Sequence, residues 1–333
     1  MINVEKLKPN DRATLEGIFS LTQKSLLYTM ENFLKNKYKK VIRTKKFLYA
    51  IGEIPVALVA HCDTVFKKPP EDIFYDNYKN VMWSPDGLGA DDRAGIWAII
   101  KIVRAGLRPH IILTTDEEMG GIGASHFINA CPKPFANIKY LIQLDRRGAN
   151  DCVFYDCYNE KFIDYVESFG FTENFGSFSD ICIICPAWKI AGVNLSIGYQ
   201  DEHSFSETLW IGYMNQTINK VIRMLKVAES APTFEYIENP YTQEWYLKYM
   251  NQENYKSETK CVCGKCKKIF CEYDVVPAKM VDGSTKWICG ECIADFGWCE
   301  RCQEPFELTD KNSTDIICPD CIEIMFGRSK IHV

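Results

Sequence analysis

Residues 55–65, PVALVAHCDTV, carry a short apolar run straight into a histidine and an aspartate two positions apart. A run this short and apolar reads as a strand buried on both faces. Side chains alternate along an extended chain, so His61 and Asp63 face the same side. The same arrangement recurs downstream. HIILTTDEEMGG (110–121) ends an apolar run at Glu117 and Glu118, and IKYLIQLDRRG (138–148) ends one at Asp145. GVNLSIGYQDEHSFSE (192–207) leads to His203, and GLGADDRAG (87–95) places Asp91 and Asp92 at the start of a helical pattern.

Between these runs lie amphipathic stretches. DDRAGIWAIIKIVRAG, GIGASHFINA, NEKFIDYVESFG and TLWIGYMNQTINKVIRMLKVAES read as helices, as does one long segment from Asn10 to Asn36. VIRTKKFLYAIG predicts a hairpin, CVFYDC and the CIIC run at 182–185 predict strands, and 66–88 reads as an irregular loop beside the site. Apolar strands alternating with helices predict an α/β fold: a mostly parallel twisted sheet sandwiched by helices. In such sheets binding residues lie beyond the carboxyl ends of the strands. His61, Glu117, Asp145 and His203 all follow a predicted strand.

The chain has 333 residues, so two domains are expected. We place a catalytic domain at 1–230, a Tyr- and Asn-rich connector at 231–257 and a cysteine-rich module at 258–333. A formal net charge of -5 argues against a nucleic-acid partner, which needs a basic surface. The first residues show no leader pattern and no apolar stretch is long enough to span a bilayer, so neither export nor a membrane is expected. Six of the sixteen cysteines are scattered through the first 260 residues; ten lie between Cys261 and Cys321, eight of them in CxxC pairs. Paired CxxC without an export signal reads as zinc rather than disulfide, and a reducing, cytoplasmic setting follows.

Two histidines and several acids at strand ends can hold two divalent metals and leave one glutamate free as a base. Each piece alone is weak. HxD occurs by chance, and acidic pairs are commonly solvated faces or helix N-terminal charges. Two adjacent carboxylates directly after an apolar strand, however, repel each other unless a cation is present. In this reading Asp91 bridges, Glu118 ligates and Glu117 accepts the proton of the attacking water. Asp63 holds the other nitrogen of His61, and Asp145 and His203 complete the two ligand shells. Tyr199 could aid the oxyanion, or simply pack in the sheet.

HCDTV, GLGADDRAG, TTDEEMGGIGA, LIQLDRRG and GYQDEHSFSE resemble, in order and character, the signature segments of the dinuclear zinc aminopeptidase and carboxypeptidase superfamily. The resemblance covers roughly residues 50–225. It implies His61, Asp91 and Asp145 on one metal and Asp91, Glu118 and His203 on the other. It further implies Glu117 as general base and a cis peptide between Asp91 and Asp92. The layout is closest to single-domain leucyl-type aminopeptidases: only 29 residues separate His61 from Asp91, and 84 separate Glu118 from His203. That leaves no room for the extra domains with which relatives grip a substrate.

The C-terminal pairs are Cys263/Cys266, Cys289/Cys292, Cys299/Cys302 and Cys318/Cys321, with spacers of 22, 6 and 15 residues. Two such knuckles close one tetrahedral four-thiolate zinc site. Sequential pairing gives a double zinc ribbon similar to LIM domains; the alternative is a cross-brace as in RING domains. With 10 Lys/Arg against 13 Asp/Glu from Ser257 onward, the module suits a protein partner better than phosphate.

The expected protein is a metal-dependent amide hydrolase, foremost an aminopeptidase, with two active-site metals (zinc, or manganese or cobalt) and two structural zinc ions. A deacylase or carboxypeptidase acting on N-acyl amino acids or small peptides is the alternative. An adaptor with an inactive hydrolase domain and a protein-binding zinc module is the other.

Overall fold

In the computed structural model the described residues are 6–238, 260–271, 275–289, 292–299, 305–308 and 317–318. The chain divides into two units, Met1–Pro240 and Tyr241–Val333.

The first unit opens with helices α1 (Pro9–Phe19) and α2 (Gln23–Lys35), then strands β1 (Lys40–Arg43), β2 (Phe47–Ile51) and β3 (Ile54–His61). Next come β4 (Phe74–Asp76), β5 (Val81–Trp83), α3 (Ala90–Arg104), β6 (Pro109–Thr114), α4 (Ile122–Ala130) and β7 (Tyr140–Arg146). They are followed by β8 (Asp151–Val153), α5 (Glu160–Glu167), β9 (Thr172–Glu173), α6 (Ile181–Trp188), β10 (Gly192–Ser196), β11 (Tyr199–Gln200), β12 (Thr208–Trp210) and α7 (Ile211–Val227).

The main sheet runs β1-β2-β6-β3-β7-β10-β8-β9. Its centre, β6-β3-β7-β10, is parallel. Antiparallel pairs flank that centre: β1 with β2, β2 with β6, and β10 with β8. The sheet is therefore mixed rather than mostly parallel, because the hairpin at Val41–Ile51 and the short β8 return alongside their neighbours. The central strands, and β2 beside them, are near-continuous apolar runs, as burial on both faces demands. Along β3, Val56, Leu58 and Ala60 pack into the core beneath α1, α2, α3 and α7. Ala57 and Val59 point the other way, to the core shared with α4 and α6.

Several local expectations are corrected. The segment 10–36 is two helices, broken where Thr22 caps α2 by accepting from the Ser25 N–H at 3.3 Å. The stretch 66–88 is not wholly irregular. β4 and β5 form a hairpin in a second, antiparallel sheet, β11-β12-β5-β4. Thr208–Trp210 joins that sheet instead of starting α7. The CIIC run lies on a helix: Ile181, Ile184, Cys185 and Trp188 are its buried residues, a helical spacing that outweighs the strand-like composition. The strand expected over GVNLSIGY breaks at Gly198, whose φ is +100° and which lies against the backbone of Trp210 and Met214. That break passes the chain from the main sheet to the second one, just before His203. Residues 231–238 run back along the first unit, with bridges from Glu235 to Ile190 and from Glu238 to Cys157.

The second unit contains β13 (Lys260–Val262), β14 (Ile269–Cys271), β15 (Val275–Lys279), β16 (Thr285–Cys289), β17 (Phe296–Trp298) and β18 (Pro305–Glu307). β13 and β14 form a hairpin, and the others a sheet ordered β16-β15-β18-β17. Among the described residues no helix is long and apolar enough to cross a membrane.

The packing of α3 on β7 allows a direct test. A Cβ at Gly95 would lie 2.4 Å from both the Leu144 carbonyl oxygen and Asp92 Oδ1. Gly95→Ala is expected to destabilise by about 1–3 kcal/mol. Gly17, in α1, has nothing within 4 Å of that position, so Gly17→Ala is expected to stabilise by about 0.4–1 kcal/mol. Denaturant midpoints of the two variants should move in opposite directions.

Candidate two-metal active site

The acids and histidines converge at the carboxyl edge of the parallel strands. His61 ends β3, Asp145 lies near the end of β7, and Glu117 and Glu118 occupy the turn after β6. His203 follows β11 in a turn with φ of +63°, and Asp91 stands at the N-terminus of α3, joined to Asp92 by a cis peptide as the resemblance implied.

Asp91 is the hub. Its Oδ1 lies 3.1 Å from His61 Nε2 and its Oδ2 3.1 Å from His203 Nε2. His61 Nε2 is also 3.5 Å from Asp145 Oδ1, and His203 Nε2 is 3.0 Å from Glu118 Oε1. Glu117 Oε2 stands 3.9 Å from His61 Nε2. Asp63 Oδ2 accepts the Glu118 N–H at 3.1 Å, and its Oδ1 lies 3.3 Å from His61 Nδ1, at an angle that makes no hydrogen bond. All seven first-unit residues singled out in the sequence are thus brought together. The site opens on a cleft of about 570 Å³ whose walls include Asp91, Glu117, Glu118, Asp145, Arg146, Tyr199, Glu202 and His203.

Tyr199 is buried and donates to Asp145 Oδ1 at 3.2 Å. Six further residues surround the site without having been given a role from the sequence. Asp92, fully buried, accepts the His61 N–H at 3.2 Å and the Gly95 N–H at 3.0 Å. Glu207 accepts the N–H groups of Ala90 and Asp91 at 3.0 and 3.1 Å and so fixes the start of α3. Asp180, buried at the start of α6, accepts from Thr114, and Gln143 and Ser179 donate to Asp145 Oδ2 at 3.1 and 3.3 Å. Arg146 lines the cleft beside Asp145. Asp92, Gln143, Arg146 and Glu207 lay inside the segments already read, without a role of their own; a buried Asp180 carries no mark in the sequence.

The electrostatics fit cations. Asp63, Asp91, Asp92, Glu117, Glu118 and Asp145 supply six carboxylates against two imidazoles. Even with both rings protonated, four negative charges are left over, the charge of two divalent ions. Left to protein groups alone, burial and neighbouring acids push Asp145 up to about 8 and Glu117 up to about 9. Burial works to lower His61, but Asp145 and Asp63 outweigh it and hold the ring well above its usual range. Hydrogen bonds to Asp91 and Glu118 bring His203 up to about 11. Donor atoms about 2.0–2.1 Å from a tetrahedral zinc stand roughly 3.3 Å apart, close to the separations around Asp91. His61, Asp92 and Asp145, and separately Asp91, Glu118 and His203, have donor atoms within 4.8 Å of one another.

In the second unit Cys263, Cys266, Cys289 and Cys292 bring their sulfurs within 4.8 Å, with Cys266 and Cys289 at 3.9 Å. The Cys289 N–H donates to Cys263 Sγ at 3.5 Å. This joins the first two CxxC pairs, as sequential pairing expects. Cys318 N–H donates to Cys299 Sγ at 3.3 Å; Cys302 and Cys321 lie outside the described residues.

Comparison with known proteins agrees with the geometry. The sequence profile of peptidase family M28 matches residues 50–166. No curated protein matches the chain. Among solved structures, the fold is similar to aminopeptidase PepT from Bacillus cereus, at 14% identity over 66% of this chain and 98% of that one, with a TM-score of 0.52. It is also similar to a tripeptidase from Staphylococcus aureus (14% identity, 66% and 98%, TM-score 0.53). A third is aminopeptidase APDkam598 from the archaeon Desulfurococcus kamchatkensis (12% identity, 67% and 96%, TM-score 0.52). With the match to the peptidase profile and the gathered acids and histidines together, the chain is a metal-dependent peptidase with a candidate two-metal site, similar over residues 50–166 to peptidase family M28.

Proposed function

We propose that the first unit is an aminopeptidase in which His61, Asp91 and Asp145 hold one divalent ion, Asp91, Glu118 and His203 hold the other, and Glu117 is the general base. The observation that carries this reading is the division of Asp91, one carboxylate oxygen toward His61 and the other toward His203. A pair of bound cations would polarise the scissile carbonyl and acidify water.

The protein's own groups do the rest. Glu117 stands next to ligand Glu118 yet hydrogen-bonds neither histidine, so it is free to take a proton from the attacking water and return it to the leaving amine. Asp63 orients His61 and, through the Glu118 N–H, ties the first strand end to the glutamate turn. Tyr199, Gln143 and Ser179 hold Asp145 in place. Glu202 supports an amino-terminal substrate: it lines the cleft, and although its Oε1 pairs with Arg147, its Oε2 is buried without a hydrogen-bond partner and can accept from an ammonium group. The catalytic residues fall within 1–230. In the module at 258–333 the four clustered thiols are a structural zinc site, and the remaining pairs a second one, available for a protein partner.

Glu117→Gln is expected to lower kcat by at least about 100-fold while leaving the metal content unchanged. Full activity in that variant would falsify the assignment. Elemental analysis of the unaltered protein should find about four metals per chain; two would favour an adaptor. Aminoacyl substrates should be cleaved and their N-acylated counterparts should not.

The chelated protein should also show an unusual pH dependence. Asp145 and Glu117 have folded-state pKa values of about 8 and about 9, above the unfolded values near 4. Their stabilising contribution is complete below pH 4 and is lost as pH rises through 8 and 9, so melting temperature should fall between pH 5 and 9. Adding zinc should reverse the slope, since metal takes the place of the protons.

A further inference from the structure

The cleft contains a cationic group that the proposed mechanism does not use. β10 and β7 pair in step from Gly192/Leu141 to Asn194/Gln143, then jump to Ser196/Arg146. Three residues of β7 are thereby set against two of β10. Such a bulge breaks the alternation of side chains. Consecutive residues Asp145 and Arg146, which a regular strand would send to opposite faces, both line the cleft.

Arg146 is poorly satisfied there. Its side chain is 12% exposed and its Nε is buried without a partner. Its ion pair, Nη2 to Asp151, is long at 3.4 Å, and the same Asp151 oxygen also accepts from Asn174 at 2.8 Å. Arg147 differs. It is 63% exposed and engaged by Glu202 at 3.0 Å. A largely buried guanidinium with spare donors needs a further acceptor. Its planar fork suits a carboxylate.

We propose that Arg146 receives the free α-carboxylate of the substrate, which makes the preferred substrates very short peptides. This rests on the peptidase reading above. Arg146 adjoins the candidate ligand Asp145, and an extended residue spans only about 3.3–3.6 Å. Arg146 also lines the same cleft as the candidate ligands Asp91, Glu118, Asp145 and His203, so a carboxylate at Arg146 and a carbonyl at the ligand cluster belong to one short substrate. The bulge would supply from within the catalytic unit a carboxylate grip that the short spacings leave no separate domain to provide.

The test compares kcat/KM of the full, metal-loaded protein for a dipeptide or tripeptide and for the same peptide amidated at its C-terminus. The free acid should be preferred by about 10- to 100-fold, the scale of a charge-assisted hydrogen bond. Arg146→Gln should bring the ratio close to one, Arg146→Lys should keep part of it, and Arg147→Gln should preserve it. Equal turnover of acid and amide by the unaltered protein overturns the carboxylate role and leaves the peptidase reading standing. A ratio that survives in Arg146→Gln, or collapses instead in Arg147→Gln, overturns it too. Hydrolysis of neither substrate with all metals bound overturns both.

Discussion

Repulsion among buried carboxylates is the constraint on which the rest of the first unit depends. Asp91, Asp92 and Asp145 are crowded beneath Glu117 and Glu118, with two imidazoles to offset six acids. Removing that much like charge from water costs several kcal/mol per ion unless it is paired. The surroundings are built to hold it in place. The amide N–H groups of His61 and Gly95 meet Asp92, three side-chain donors meet Asp145, and the Glu118 N–H meets Asp63. These groups fix positions, but none brings the positive charge that the cluster lacks.

The sheet makes such a cluster affordable. Four parallel strands end side by side, so residues distant in sequence reach one edge without long loops. Departures from regularity occur where a side chain must be re-aimed. The β7 bulge brings both Asp145 and Arg146 to the cleft, the left-handed turn at His203 places its ring by Asp91, and Gly198 passes the chain between sheets. Each departure adjoins a residue of the cleft, as expected where backbone irregularity serves a site.

The legible part of the site followed from strand ends. An apolar run stopping at a histidine or an acid marks an edge, and four such stops located His61, Glu117, Glu118, Asp145 and His203. Asp92 was visible only as half of an acidic pair, because a carboxylate buried behind its neighbour looks the same in sequence as one in water. Asp180 and Arg146 depend on tertiary placement, a helix start and a bulge, which no local pattern encodes. The second sheet was missed for a related reason. Strands of two or three residues, such as β11 and β12, are too short for alternation to register. The CIIC helix was misread because a strongly apolar composition obscured its helical spacing.

The same acids that suit catalysis burden the fold when unpartnered. In the role proposed for it Glu117 must be ionised to accept a proton, yet with protein groups alone around it its burial keeps the carboxyl protonated at neutral pH. Cations in the two proposed sites, which Asp91 shares, would lower that pKa, because their field favours the charged carboxylate beside them. Loading the site would then do two things at once: relieve the repulsion that destabilises the metal-free chain and convert Glu117 from an acid into a base. Metal affinity, folding stability and the protonation state of the base are in this way one linked equilibrium. On the proposed assignment, Glu117 would become competent as a base only when the site beside it is filled.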